Sequence, residues 1–382
     1  MNKKYFVLTS IMIIIMIIPP GCERGEFNWG TKIGDITYAG NVVFLGSEEL
    51  SLLKEVTDNG IVFSGKTGEI ENIADKSILV MGVSEKTPFG LLRKVNSIQN
   101  NGTEVTITTS DALLSDAIKE GTIKLQERLL EKDFTLKSKA EGVLVKGPDK
   151  SFDGLAVTLD NLEIYKNGIN IARLNGAIGI SPEIDVTIEI RFNEITEIEI
   201  VTTLNKIDEI TVTSNAAFNG EKEIVAAEFI HSPIIVDSLV FVPEVKILCG
   251  YNGAISCEVS SGVRQDRVIT SKMNYQLSKW SEDPLVHTES FDFLKPQVTD
   301  NSDLEIFSGP EINLNLFGVP IQDIKASGFY SLEAEKTGSP LWKLFIGIDG
   351  YNTLIADILG LRENHTLDMN IQASEIGNAN GK

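Results

Sequence analysis

Three histidines, His231, His287 and His365, are the first residues to ask for chemistry, and their spacing offers little. They stand far apart, and none has a second histidine or a cysteine at metal-ligand spacing. The chain holds no H-E-x-x-H, C-x-x-C, phosphate-binding loop, G-x-G-x-x-G or G-x-S-x-G element. No cofactor is therefore implied, and an ordinary strand or loop role is the expectation for each histidine. Carboxylates are the opposite case. Glycoside hydrolysis needs two of them about 5 to 10 Å apart in a cleft, and 54 Asp and Glu residues are too many to single out a pair. The run Asp300-Asn301-Ser302-Asp303-Leu304-Glu305 carries calcium-type oxygens but lacks the glycine and ligand spacing of an EF-hand. It reads as a solvated acidic loop.

Aromatic side chains are more suggestive. Tyr275, Trp280, Phe291, Phe293, Phe307, Phe317, Phe329, Tyr330, Trp342, Phe345 and Tyr351 gather in the last third, whereas Ile and Val dominate the stretch before it. Most such rings are expected to fill a core and favour strands. Trp280 is the exception: it lies among polar residues ahead of Asp283-Pro284 and is the candidate for stacking on a ligand. Cys249 and Cys257 flank an Asn252-Gly253 pair. A three-residue loop from Asn252 to Ala254 would set the two cysteines opposite each other, so a disulfide that staples a hairpin is expected. No catalytic role follows from it.

The elements that must position these residues are mostly strands. Asn-Gly pairs at Asn59, Asn101, Asn167, Asn175, Asn219 and Asn252 punctuate apolar or alternating segments, the pattern of type I′ hairpin turns. Turns at Asn167-Gly168 and Asn175-Gly176 would place Ile164 opposite Ile171 and Ile171 opposite Ile180. From Ile184 to Phe192, Ile184, Val186, Ile188, Ile190 and Phe192 share one face, and Asp185, Thr187, Glu189 and Arg191 share the other. Such a meander has to cover its apolar face with a second sheet or close on itself. The expected fold is thus mainly β, an antiparallel meander forming a sandwich or an elongated, partly open barrel.

Ahead of it the spacing predicts a small β module over residues 35–147. Its strands fall near Val42–Leu45, Ile61–Phe63, Ile78–Val83, Leu91–Ile98 and Val105–Thr108. A helix capped by Ser110 would run from Asp111 to Glu120 and end at Gly121. Gly147-Pro148-Asp149 is the expected linker to the large β domain, residues 148–382.

The first 22 residues speak to location. Lys3 and Lys4 precede an apolar run from Tyr5 to Ile18, and Pro19-Pro20-Gly21 leads into Cys22, followed by Glu23 and Arg24. That is the layout of an export signal, too short to span a bilayer as a helix. The segment resembles the signal of bacterial lipoproteins, in which a small residue, here Gly21, precedes a cysteine, here Cys22, that takes the lipid and becomes the mature N-terminus. Pro19 and Pro20 depart from the usual leucine and small residue of that pattern. The resemblance implies an acylated Cys22 and a polar tether over residues 23–34, with the membrane reached through two or three acyl chains. Thr87-Pro88-Phe89-Gly90-Leu91-Leu92-Arg93-Lys94-Val95 and the segment from Gly338 to Gly347 are similar to stretches of secreted bacterial β-rich proteins without an established activity. That resemblance implies secretion and β structure, and no site.

Charge narrows the partners. The chain has 34 Lys and Arg against 54 Asp and Glu, a net charge of −20. Without Lys3 and Lys4 the balance is 32 against 54, or −22. Such a field repels phosphate backbones, so no nucleic-acid partner is expected. The reading that follows is an envelope-anchored lipoprotein, at the outer membrane or cell surface, with a structural or binding role toward a polysaccharide or a surface protein. A glycan hydrolase using paired carboxylates, and a carrier of apolar ligands such as lipid, are the alternatives.

Overall fold

A computed structural model describes residues 31–145, 153–256, 258–298, 300–338 and 340–379. The signal segment, Cys22, most of the tether, the Gly147-Pro148-Asp149 linker and Cys257 lie outside the described residues.

The chain is mainly β, with 71% of it in strands and 5% in helix, arranged as open antiparallel sheets without a closed barrel. Among the described residues there are two nine-stranded sheets and one of six strands. The two large sheets face each other as a sandwich. The chain lays a hairpin in the first sheet, Asn170–Arg191 with Glu194–Ser214, then crosses to the second for Phe218–His231 and Leu239–Ile255. It returns to the first for Val259–Gln276 and Lys279–Val298 and finishes in the second with Ser302–Leu316, Val319–Ala334 and Trp342–Leu354. The strand Asn170–Arg191 has 22 residues, about 70 Å of extended chain. Ile184, Val186, Ile188 and Ile190 are all buried between the sheets, as their alternation requires.

Several local expectations are corrected. Phe192 does not continue that apolar row. With Asn193 it forms the two-residue bend to Glu194, both residues at positive φ (54° and 63°), and it is 83% exposed. The same bend geometry recurs at Asp237-Ser238, Leu277-Ser278 and Phe317-Gly318. Asn59, Asn101 and Asn167 do lie at hairpin bends, but at the third the bend is Gly168-Ile169, which sets Lys166 rather than Ile164 opposite Ile171. Asn175-Gly176, Asn219-Gly220 and Asn252-Gly253 lie inside strands. Ile171 therefore pairs across the sheet with Lys166 and never meets Ile180, which is on the same strand.

Those in-strand glycines have a physical reason. Gly176 and Gly253 have φ of +132° and +116°, and a Cβ there would stand 1.7 Å from the Glu209 carbonyl oxygen and 2.1 Å from that of Asp303. Positive φ serves close approach of neighbouring backbones in long coiled strands rather than a turn.

The six-stranded sheet, residues 42–111, is inserted between Ile36–Tyr38 and Ile118–Arg128, which both belong to the first large sheet. It has its own apolar core, including Leu53, Ile61, Phe63, Leu79, Met81, Val95 and Ile107. The expected strands are all present in it. The expected helix shrinks to one turn, Leu114–Ala117. Ser110 and Asp111 end a strand, and from Ile118 the chain pairs with Asn170–Arg191 over eight residue pairs from Gly121 to Arg128. Ladder bonds and burial of Ile118, Ile123 and Leu125 outweigh the local helix signal. The segment after Ala117 thus belongs to the large sheets rather than to the small module.

Candidate functional site

Trp280 stands one residue into Lys279–Val298, the edge strand of the first large sheet, directly opposite Tyr275 across the Leu277-Ser278 bend. The two ring centroids are 4.9 Å apart and tilted by 49°. One face of the indole is covered by His365, parallel within 2° at 4.3 Å. His365 begins the edge strand His365–Asp368 of the second large sheet, and its Nε2 lies 2.5 Å from Glu282 Oε1. Tyr275, Trp280, His365 and Glu282 therefore latch the edges of the two sheets together. Beside the latch opens a cleft of about 560 Å³, with Trp280 and Tyr275 on one wall, Asn193 and Glu194 from the neighbouring hairpin, and Arg362 and Glu363 from the loop before His365. A flat ring edge, two carboxylates and a guanidinium are the groups with which a polar ligand is oriented. Because His365 takes one indole face, the wall offers ring edges more than an open stacking platform.

Sequence reasoning found Trp280 through its polar neighbours. It missed His365 and Glu282, which are 85 and 2 residues away along the chain and meet only because two sheet edges close on each other.

Cys249 is not in a hairpin. It lies in mid-strand in Leu239–Ile255, opposite Ile224 on one side and Ser308 on the other, with a free, buried thiol that burial pushes up to about 12. The strand runs straight on from Cys249 to Ile255, about 20 Å. Cys257 lies outside the described residues, and the hairpin loop expected at Asn252 to Ala254 is replaced by continuous strand beyond the buried Cys249 thiol. A thiol so placed is inert packing. His231 is likewise structural: its Nδ1 lies 2.6 Å from the Ser232 carbonyl oxygen, and Phe134 meets its ring edge to face. The side chain of His287 lies outside those described. Ser302 to Glu305 open a strand rather than a loop, and no three potential metal ligands come together among the described residues.

A second cleft, of about 450 Å³, dents the outer face of the second large sheet. Glu223, Glu305 and Asp349 rim it, Lys325 bridges to Glu223 at 2.6 Å, and Phe307 and Ser327 line it. Gly250 makes the dent: a Cβ there would stand 2.5 Å from the Phe307 ring and 2.1 Å from the Lys222 carbonyl oxygen. Burial, and then the nearby Asp349 and Asp303 charges, raise the Glu305 carboxyl above the usual carboxylate range.

Between the sheets lies a feature no periodicity announces. Lys206, Asp208, Gln265 and Arg267 point inward and are buried. Lys206 pairs with Asp208, Gln265 Nε2 donates to Asp208 at 3.3 Å, and Arg267 Nη1 donates to the Gly347 carbonyl at 2.5 Å. Gln322, Asn352, Thr202 and Ser271 continue the polar layer through bonds of 2.8 to 3.1 Å. Burial pulls the Lys206 ammonium below the usual lysine range; Asp208 opposes this and Arg267 adds to it. Gly328 opposite leaves the room, since a Cβ there would lie 2.9 Å from Lys206 Nζ.

Comparison with protein-family models, curated proteins and solved structures gives no match to this chain.

Proposed function

We propose that this protein is an envelope lipoprotein, held by an acylated Cys22, whose β body binds a polysaccharide or a surface protein in the cleft beside Trp280. The observation that carries the binding reading is the latch of Tyr275, Trp280, His365 and Glu282 next to Glu194, Arg362 and Glu363. Half-buried aromatic side chains at the margin of the apolar core and exposed charged ones are concentrated there at a sheet edge. The charged layer around Lys206, Asp208 and Arg267 is a poor lining for an apolar cargo, which weighs against a lipid carrier. The anchoring half rests on the signal-like segment and Cys22. No helix among the described residues is long and apolar enough to cross a membrane, which leaves strands aside.

Two measurements test the halves separately. Wild-type protein is expected to take up a fatty-acid analogue in cells, and Cys22→Ser to lose the label and accumulate as precursor or leave the membrane fraction. A wild type that takes up no label ends the anchoring claim. On a glycan array and in crosslinking from intact cells, Trp280→Ala is expected to lose about tenfold or more in partner binding while keeping its fold. Retained binding would remove the cleft from the reading.

A further inference from the structure

The outer-face cleft of the second large sheet stands apart from the Trp280 cleft, and its residues answer a narrower question. Along Val319–Ala334 the side chains alternate, Ala326 and Gly328 facing the sandwich interior and Lys325, Ser327 and Phe329 the outer face. Ser327 nevertheless is only 2% exposed, because it forms the cleft floor beneath longer neighbours, and its hydroxyl has no hydrogen-bond partner. A buried hydroxyl without a partner costs about 1 to 3 kcal/mol, and a ligand atom that reaches it recovers that cost.

The rim is electrically unbalanced. Lys325 is committed to Glu223, whereas Glu305 and Asp349 face the same space and form no ion pair with a cation among the described residues. Phe307, laid over Gly250, adds an apolar patch beside them. A bare divalent cation does not suit this set, since no three potential ligands converge. An ammonium group does: it has three donors, needs no fixed coordination geometry, and gains from both an adjacent carboxylate pair and a ring. A volume of about 450 Å³ holds a small ring bearing that group.

We propose that this cleft binds an amino sugar, its ammonium between Glu305 and Asp349, its ring face toward Phe307 and one hydroxyl bonded to Ser327. The inference is independent of the Trp280 cleft and of lipid anchoring. The ligand carries its positive charge into a field of −20, so part of any attraction is non-specific.

The test therefore uses purified full-length protein at about 0.15 M salt, where exposed charges are screened beyond about 8 Å. Calorimetric titration with glucosamine oligomers is compared with the N-acetylated oligomers, which keep the ring and lose the ammonium. Glucosamine oligomers are expected to bind at least tenfold more tightly, and Glu305→Gln and Ser327→Ala each to weaken them about tenfold or more. The exposed Glu55→Gln, in the six-stranded sheet, is expected to leave binding unchanged. Equal affinity for both oligomers, no binding of the glucosamine form, or a loss shared by Glu55→Gln would each overturn the proposal. Thermal melts of Glu305→Gln and Ser327→Ala guard against misfolding; both replacements are near-isosteric, and a variant that melts early is replaced by Asp349→Asn, for which the same weakening is expected.

Discussion

The six-stranded end sheet and the middle of the sandwich are built from the same alternating strands, yet their interiors differ in kind. The end sheet closes on Ile61, Phe63, Leu79, Met81 and Ile107, with short strands and local bends. The sandwich middle instead buries Lys206, Asp208, Gln265 and Arg267 between strands of 18 and 21 residues. A small sheet has little area to spare, so each inward position must bury apolar surface. A long sandwich buries enough elsewhere to tolerate a charged layer, provided the charges meet each other and a glycine such as Gly328 leaves them room.

The sharpest way to break this comparison is to remove one charge. Asp208→Ala leaves Lys206 and Arg267 buried without their carboxylate and is expected to destabilise the protein by about 3 to 5 kcal/mol in urea unfolding. Lys206→Met leaves Asp208 with the Gln265 hydrogen bond and the Arg267 charge and is expected to cost less than Asp208→Ala. The pH dependence separates them further. Lys206 has a folded pKa below its unfolded one, so between those values the unfolded chain binds the extra proton and stability rises with pH. That rise, lying below the usual lysine value of about 10.4, is expected to vanish in Lys206→Met. An equal penalty for both substitutions would mean that the layer is ordinary packing.

Next in size, Gly176→Ala forces a Cβ against the Glu209 carbonyl at a positive φ and is expected to cost more than about 2 kcal/mol. Gly68→Ala in the end sheet region meets nothing within 4 Å and is expected to change stability by less than about 1 kcal/mol. Thermal melting of the two variants side by side checks the contrast. The smallest effect is at a bend. Phe192 holds a left-handed conformation and is 83% exposed, so Phe192→Asn is expected to stabilise by about 0.5 to 1 kcal/mol. A loss of stability there would show that the exposed ring makes a contact of its own.

What was legible in the chain followed from local physics. Alternation from Ile184 to Ile190 reports which face is buried, because side chains on a strand point to opposite sides whatever the partner is. The need for a second sheet follows from the same pattern, and so do the short strands of the end sheet. The Asn-Gly pair lies in the bend as expected at Asn101; at Asn59 and Asn167 the bend is displaced by one residue, to Asp58-Asn59 and Gly168-Ile169, and at Asn175, Asn219 and Asn252 the pair lies inside a strand. Positive φ is a requirement that a turn and a close strand crossing share, and residue type alone does not separate them.

Tertiary structure alone decided the rest. Phe192, Leu277 and Phe317 are unfavourable bend residues, placed there by registers that pair Arg191 with Glu194, Gln276 with Lys279 and Leu316 with Val319. Lys206 and Arg267 are charged residues on the apolar register of their strands, between Leu204 and Ile210 and between Val263 and Ile269, and are buried because two sheets close over them. Trp280 was noticeable by its neighbours, but its partners His365 and Glu282 were not. Neither was the convergence of Glu305, Asp349 and Ser327 on one dent, since these residues come from three strands that become neighbours only through the ladder. Periodicity encodes which face of a strand meets water; which distant strand lies beside it is settled by the burial and hydrogen bonding of the whole chain at once.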